Sequence, residues 1–204
     1  MENDAKRRWA EFLNPDVVRT KFVAMGLFMI AHEMLLDAIR DRPLSFFSNR
    51  WTADAGWQQN DDYRQNVLAL DPKGKSDALR GSLEWLRGQE AIDEADVAAT
   101  REFTDARNVI AHELRDIISG GTVPDFSGLF PRQIGLLAKI DRWWIINVDI
   151  AIDPEIAGQD QDIDSDGVMP GSLLLMQILG SVALGEEEEA WELYRAFVEN
   201  EASV

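Results

Sequence analysis

From Asp16 to about Arg40 the chain runs without a proline and is apolar on nearly every face, through Phe22, Val23, Met25, Leu27, Phe28, Ile30, Met34 and Leu35. Wound as a helix, at about 100° per residue, such a segment has no broad polar side to offer to water. It must therefore be packed on several sides at once, which makes it the central member of a group of helices. The segment is not a convincing membrane span, because His32, Glu33 and Asp37 interrupt its greasiest part, Phe22 to Ile39. The other apolar run, Leu173 to Leu184, is only 12 residues long and too short to cross a bilayer. No membrane association is expected.

The remaining sequence supplies the other helices and almost nothing else. Lys6 to Leu13 reads as a short helix stopped by Asn14-Pro15, since the residue before a proline is pushed out of the helical region. Residues 41–75 are irregular, with Pro43, Gly56, Pro72 and Gly74, yet they carry Phe46, Phe47, Trp51, Trp57 and Tyr63. Aromatics at that density predict a segment folded back over the bundle. Ser76-Asp77 is a good N-cap for a helix through about Gln89, and a second long helix runs from Asp93 to Ser119 before Gly120-Gly121. Pro131 is expected to open a helix that reaches about Ile152. An acidic loop over 153–169 follows, and Pro170 starts a last helical region that breaks near Gly185 and continues through Trp191, Leu193 and Phe197. Neither a β-hairpin signal nor βαβ alternation is visible. The expected fold class is all-α, a single domain over 1–204 that forms a bundle of about five to seven helices.

Composition narrows the function. The chain has no cysteine, which removes disulfides, thiolate metal sites and cysteine nucleophiles. Its formal charge of −17 argues against a broad basic surface that wraps nucleic acid. The charge is uneven, however: residues 1–60 are balanced at eight Lys/Arg and eight Asp/Glu, while 121–204 carry four against sixteen. A local cationic cleft remains compatible with these totals. The N-terminal Met1 to Arg8 is charged and has no apolar stretch behind it, so no secretory signal is seen and a cytoplasmic location is expected.

The chemically distinctive stretch is Arg107-Asn108-Val109-Ile110-Ala111-His112. On a helical wheel, Ala99, Phe103, Ala106, Ile110, Leu114 and Ile117 form an apolar stripe. Arg101, Asp105, Asn108, His112, Arg115 and Asp116 form a polar one opposite. His112 thus has Asn108 one turn before it and Asp116 one turn after it. Arg107 lies about 140° away from His112, so one helix does not bring the two into contact.

This run, Arg107-Asn108-x-x-x-His112 near the end of a long helix in a small helical bundle, resembles the arginine–histidine signature of the HEPN superfamily. The resemblance is carried by residues 95–118 and extends to the rest only as architecture. It implies a helical bundle that dimerises and, in active members, a metal-independent endoribonuclease of prokaryotic defence or toxin–antitoxin systems. By that resemblance His112 is the general acid/base for attack of a 2′-hydroxyl on the adjacent phosphodiester. Arg107 stabilises the charge that develops on phosphorus, and Asn108 positions one of these groups or a phosphate oxygen. No cofactor is implied. The partners implied are a second copy of the chain, an RNA substrate and an antitoxin or other protein. A toxin subgroup carries tyrosine two residues after the histidine, where this chain has Leu114. Some members of the superfamily have lost catalysis and act as binding modules, and the acidic C-terminal part of this chain suits that alternative. A plainer alternative has Arg107 paired with a carboxylate of another helix and His112 as an ordinary surface histidine.

Other stretches imitate known sites less well. Ala69 to Ser76 has the outline of a phosphate-binding P-loop, but Ala69 stands at the first glycine position and Pro72 removes a cradle N–H. A turn leading into an N-cap is the better reading. Asp160, Asp162, Asp164, Asp166 and Gly167 have the spacing of a calcium loop, yet Leu173 stands where the bidentate glutamate belongs. A solvated acidic loop is preferred there. His32-Glu33 and His112-Glu113 are the chain's only histidines, each followed by a glutamate, in the near-matching runs Ile30-Ala31-His32-Glu33-Met34 and Ile110-Ala111-His112-Glu113-Leu114. No ExxH or HExxH spacing supports a metal site, and His32 is expected to be a buried, hydrogen-bonded core residue.

Overall fold

The computed structural model describes residues 2–121, 124–152 and 167–185, together with Glu188, Trp191 and Arg195. Within these residues the protein is an all-α bundle with one two-stranded ribbon. Its helices are α1 (Glu2–Leu13), α2 (Pro15–Leu36), α3 (Arg42–Phe47), α4 (Asp61–Asn66), α5 (Ala78–Gly88), α6 (Glu94–Ile118), α7 (Phe126–Trp144), α8 (Ile150–Ile152) and α9 (Gly171–Leu184). The acidic stretch with calcium-loop spacing, from Asp160 to Asp166, lies outside the described residues, as do Leu193 and Phe197 of the last helical region.

The central position of α2 is as expected. It packs against α1, α6, α7 and α9, and Met25, Leu27, Phe28, Ala31, His32 and Leu35 are buried along it. Asn14 starts the helix: its side chain accepts from the backbone N–H of Asp16 at 3.0 Å and of Val17 at 3.4 Å, with Pro15 at the first helical position. The helix therefore opens on Pro15 rather than on Asp16, where proline costs nothing because its missing N–H would have had no partner. With its continuation to Phe47, α2 is long and apolar enough by length and composition to cross a membrane.

Helices α2 and α7 each run on into a π-helical turn. Asp37–Asp41 joins α2 to α3, and Ile145–Asp149 joins α7 to α8. Arg42 ties the two bends together. Its guanidinium donates to Asp149 at 2.9 Å and lies over the Trp144 ring, 5.4 Å from the centroid. Around this point Phe46, Phe47, Trp85, Trp143 and Trp144 form a continuous aromatic cluster, with neighbouring ring centroids 5.1 to 6.1 Å apart.

The aromatic segment after α3 does fold back, though not all of it is buried. Tyr63 is fully enclosed, while Trp51 and Trp57 face solvent. They pair across a small antiparallel hairpin, Trp51–Thr52 with Gly56–Trp57, which the sequence did not announce. The turn works because Gly56 adopts φ +65°, a conformation that costs glycine little.

Pro131 corrects another expectation. It lies inside α7, and the helix begins five residues earlier, at Phe126. Asp125 is the cap, accepting from the N–H of Gly128 at 3.2 Å. Within the first turns a proline forfeits only one backbone bond, and Phe126, Leu129 and Phe130 gain core packing by being helical.

Candidate functional site

Helix α6 is fixed at both ends before any functional residue is placed. At its start Asp93 and Asp96 form a reciprocal capping box, each side chain accepting from the other's backbone N–H at 3.0 Å. At its end Gly120 takes φ +84°, and the N–H groups of Gly120 and Gly121 return to the carbonyls of Ile117 and Asp116. Along its length Phe103, Ala106, Ile110 and Ile117 are buried, while Arg101, Asp105, Asn108, His112, Arg115 and Asp116 are all exposed. The expected polar stripe is thus present and open to solvent.

The helix bends at Glu113, whose φ of −115° and ψ of 16° are not helical. His112 is therefore the last residue before the bend. Leu114, which an unbroken wheel would bury between Ile110 and Ile117, is instead 40% exposed. It joins Trp9, Phe12, Val18, Phe22 and Ile118 in an apolar groove of about 790 Å³ between α1, α2 and α6, with Arg115 at its edge.

Arg107 points away from His112, as the wheel requires. It is half-buried on the side of α2, with Nη2 3.4 Å from Oε1 of Glu33. Arg107 and His112 are not brought together within one chain, and of the three motif residues only Asn108 and His112 share the open face. Sequence reasoning did not identify Glu33 as the acidic partner of Arg107. The only available signal was Glu33's place next to His32, and that does not reveal which helix lies opposite.

His32 sits beside this pair, inside the core at 1% exposure. Its Nδ1 has no hydrogen-bond partner among the described residues, so the histidine is buried as expected but lacks the expected bond at that atom. Burial pushes its pKa below the ordinary value. Glu33 opposes that shift and Arg107 reinforces it. The unfolded chain therefore takes up a proton near pH 6.5 that the folded chain refuses. This contribution to stability is fully present above that pH and is lost as the pH falls below it. Urea unfolding between about pH 7.5 and 5.5 is expected to show stability declining by up to about 1.4 kcal/mol per pH unit from this group. The decline should be shallower in His32→Leu; an identical pH profile would rule the imidazole out as its source.

The two near-matching runs occupy opposite environments. His32 is buried with Ile30 exposed, whereas His112 is exposed with Ile110 buried. Among the described residues no group of three or more His, Asp or Glu side chains stands close enough to hold a metal ion.

The P-loop imitation at 69–76 resolves into a turn built around Asp71. This buried carboxylate accepts from the backbone N–H groups of Lys73, Lys75 and Asp77 at 3.1, 2.9 and 3.1 Å. It also takes a bidentate pair from Arg80, at 2.7 Å from Nε and 3.0 Å from Nη2. Led by the Arg80 guanidinium, these donors hold its pKa far below the usual carboxylate range. The N–H groups that a P-loop would offer to phosphate are thus filled by the chain's own anion. No family model, curated protein or solved structure matches this chain.

Proposed function

We propose that this protein is a HEPN-like, metal-independent endoribonuclease whose site is completed by a second copy of the chain, in a prokaryotic defence or toxin–antitoxin setting. The observation that carries this reading is the open pairing of Asn108 and His112, one turn apart on α6, with Arg107 turned to the other side of the same helix. One helix separates the arginine from the histidine; two helices related by a two-fold axis bring one chain's arginine to the other's histidine. In the assembled site His112 accepts the proton of the 2′-hydroxyl as O2′ bonds to phosphorus. The P–O5′ bond then breaks, and the departing 5′-oxygen receives the proton back. Arg107 balances the negative charge on the phosphorane oxygens, and Asn108 donates to one of them. The products are a 2′,3′-cyclic phosphate and a 5′-hydroxyl.

The Arg107–Glu33 pair specifically favours a second reading, a catalytically silent helical module that binds a basic partner through its acidic surface. In that case the arginine is already occupied by a carboxylate, and the net charge of −17 repels RNA.

RNA cleavage in EDTA by the wild type, His112→Ala and Glu33→Gln, with native mass measured for each, separates the two. The nuclease reading expects a dimer that cleaves, loses cleavage with His112→Ala, and cleaves at least as fast once Glu33 no longer holds Arg107. Folded dimers of the wild type and Glu33→Gln that both leave RNA intact would establish the silent module instead.

A further inference from the structure

In a chain this acidic, a cation without a carboxylate beside it is out of the ordinary. Most described arginines have one: Arg40 with Asp41, Arg42 with Asp149, Arg80 with Asp71, Arg87 with Glu84 and Arg132 with Glu102. Among the described residues Lys6, Arg50, Lys73, Lys75, Arg101, Arg115 and Arg142 have no such ion pair, and four of these seven, Lys73, Lys75, Arg101 and Arg115, fall on the exposed stripe of α6 or on the turn beside it. Arg101 and Arg115 belong to that stripe, with Asn108 and His112 between them. Lys73 and Arg101 line the same cleft, of about 240 Å³, between the Pro72 turn and the first half of α6.

The cleft is prepared for an anionic guest by the way its other charges are used. Arg80 is spent on Asp71, and Glu84 is held by Arg87 at 2.5 Å. The hydroxyls of Thr100 and Thr104 donate to backbone carbonyls of their own helix. Among the described residues that line the cleft, Asp105 is the one carboxylate without an ion pair, and the unpaired cations Lys73 and Arg101 outnumber it. Lys73 is also held in place: Asp71 grips its backbone N–H, and Gly74 and Ser76 take φ +62° and +52° to close the turn around that carboxylate. From Arg101 to His112 the helix rises about 16 Å, the reach of about five stacked nucleotides.

We propose that the cleft between the Pro72 turn and α6 is a phosphate subsite for single-stranded RNA, in which Lys73 and Arg101 bind the backbone several nucleotides from the bond that His112 cleaves. The inference rests on the nuclease reading for its substrate, but it concerns binding and is measured apart from cleavage. Lys73 and Arg101 are positioning residues: they set the register of the strand on the polar stripe and touch no reacting atom.

The test uses the His112→Ala protein, so that RNA stays intact, and a fluorescent single-stranded RNA of mixed sequence. Anisotropy titrations over a range of NaCl concentrations give the slope of log Kd against log salt. Lys73→Ala with Arg101→Ala is expected to lower that slope by about 1.4, at about 0.7 for each single-strand phosphate that the protein ceases to neutralise. Both side chains are solvent-facing, and thermal unfolding of the double variant reports whether the fold is intact. Arg50→Ala, which removes an exposed cation from the hairpin region, should leave the slope unchanged. An equal fall with Arg50→Ala, an unchanged slope in the double variant, or no RNA binding at about 50 mM salt would each overturn the subsite. RNA cleavage by the wild type with an unchanged slope refutes the subsite alone. A lowered slope without wild-type cleavage refutes only the catalytic reading.

Discussion

On the proposed shared site, a hybrid dimer of the Arg107→Ala and His112→Ala proteins is expected to recover about half of the wild-type cleavage rate, with each variant alone expected to be inactive. In each parent homodimer every site lacks the same group, and loss of a general acid/base costs about 10²- to 10⁴-fold. In the hybrid, one composite site joins the intact Arg107 of one chain to the intact His112 of the other, while the second site lacks both. If arginine and histidine acted from the same chain, neither site of the hybrid would be whole. Differently tagged chains, co-expressed and purified in tandem, give the hybrid directly. A hybrid as inactive as its parents would sink the shared site and with it the role assigned to the second copy. The structure motivates the experiment because Arg107 is committed to the α2 side of its helix, 3.4 Å from Glu33, while His112 faces open solvent.

The second large effect concerns stability, and its sign is the opposite of what helix propensity suggests. Replacing a glycine by alanine inside an exposed helix ordinarily gains up to about 1 kcal/mol. At Gly81 of α5 the substitution is expected to cost about 2–3 kcal/mol and lower Tm by about 5–10 °C. A Cβ there would collide with the carbonyl oxygen of Val67, lie 3.1 Å from its carbonyl carbon and lie 3.3 Å from Cα of Leu68. These are backbone atoms of a segment in which Val67 and Leu68 are themselves core residues, so neither side yields cheaply. Gly135→Ala in α7 is the internal control. Among the described residues nothing lies within 4 Å of its Cβ position, and a small gain in Tm is expected. Calorimetry on both variants checks the pair, and a stabilised Gly81→Ala would show that α5 does not press on the 67–68 backbone.

How much of this was legible in advance depended on whether the deciding interaction was local. The long helices were legible because capping, periodicity and chain breakers all act within a few residues: Asp77 caps α5, Asp93 opens α6, and Gly120-Gly121 ends it. The polar stripe through Asn108 and His112 followed from the same arithmetic. Pro131 misled because a proline tolerated in the early turns of a helix looks the same as one that opens it, and the Asp125 cap upstream decided the matter. Leu114 was assigned to the core on a straight helix, and the bend at Glu113 turned it outward. The partner of Arg107 was out of reach for a different reason. Glu33 lies 74 positions away, and only the phase at which α2 crosses α6 chooses it over other acids. The orphaned Nδ1 of His32 is likewise a property of packing, since the sequence shows the residue but not its surroundings.

The turn at Asp71 has a consequence for the energetics of recognition. Its donors are satisfied by a tethered ligand, so the loop completes its own order while the chain folds, with no guest required. What it presents outward, the backbone from which the Lys73 side chain springs, is therefore already ordered in the free protein. An RNA strand bound there as proposed would meet a preformed turn and would not have to fold one. That ordering cost is subtracted from folding rather than from affinity.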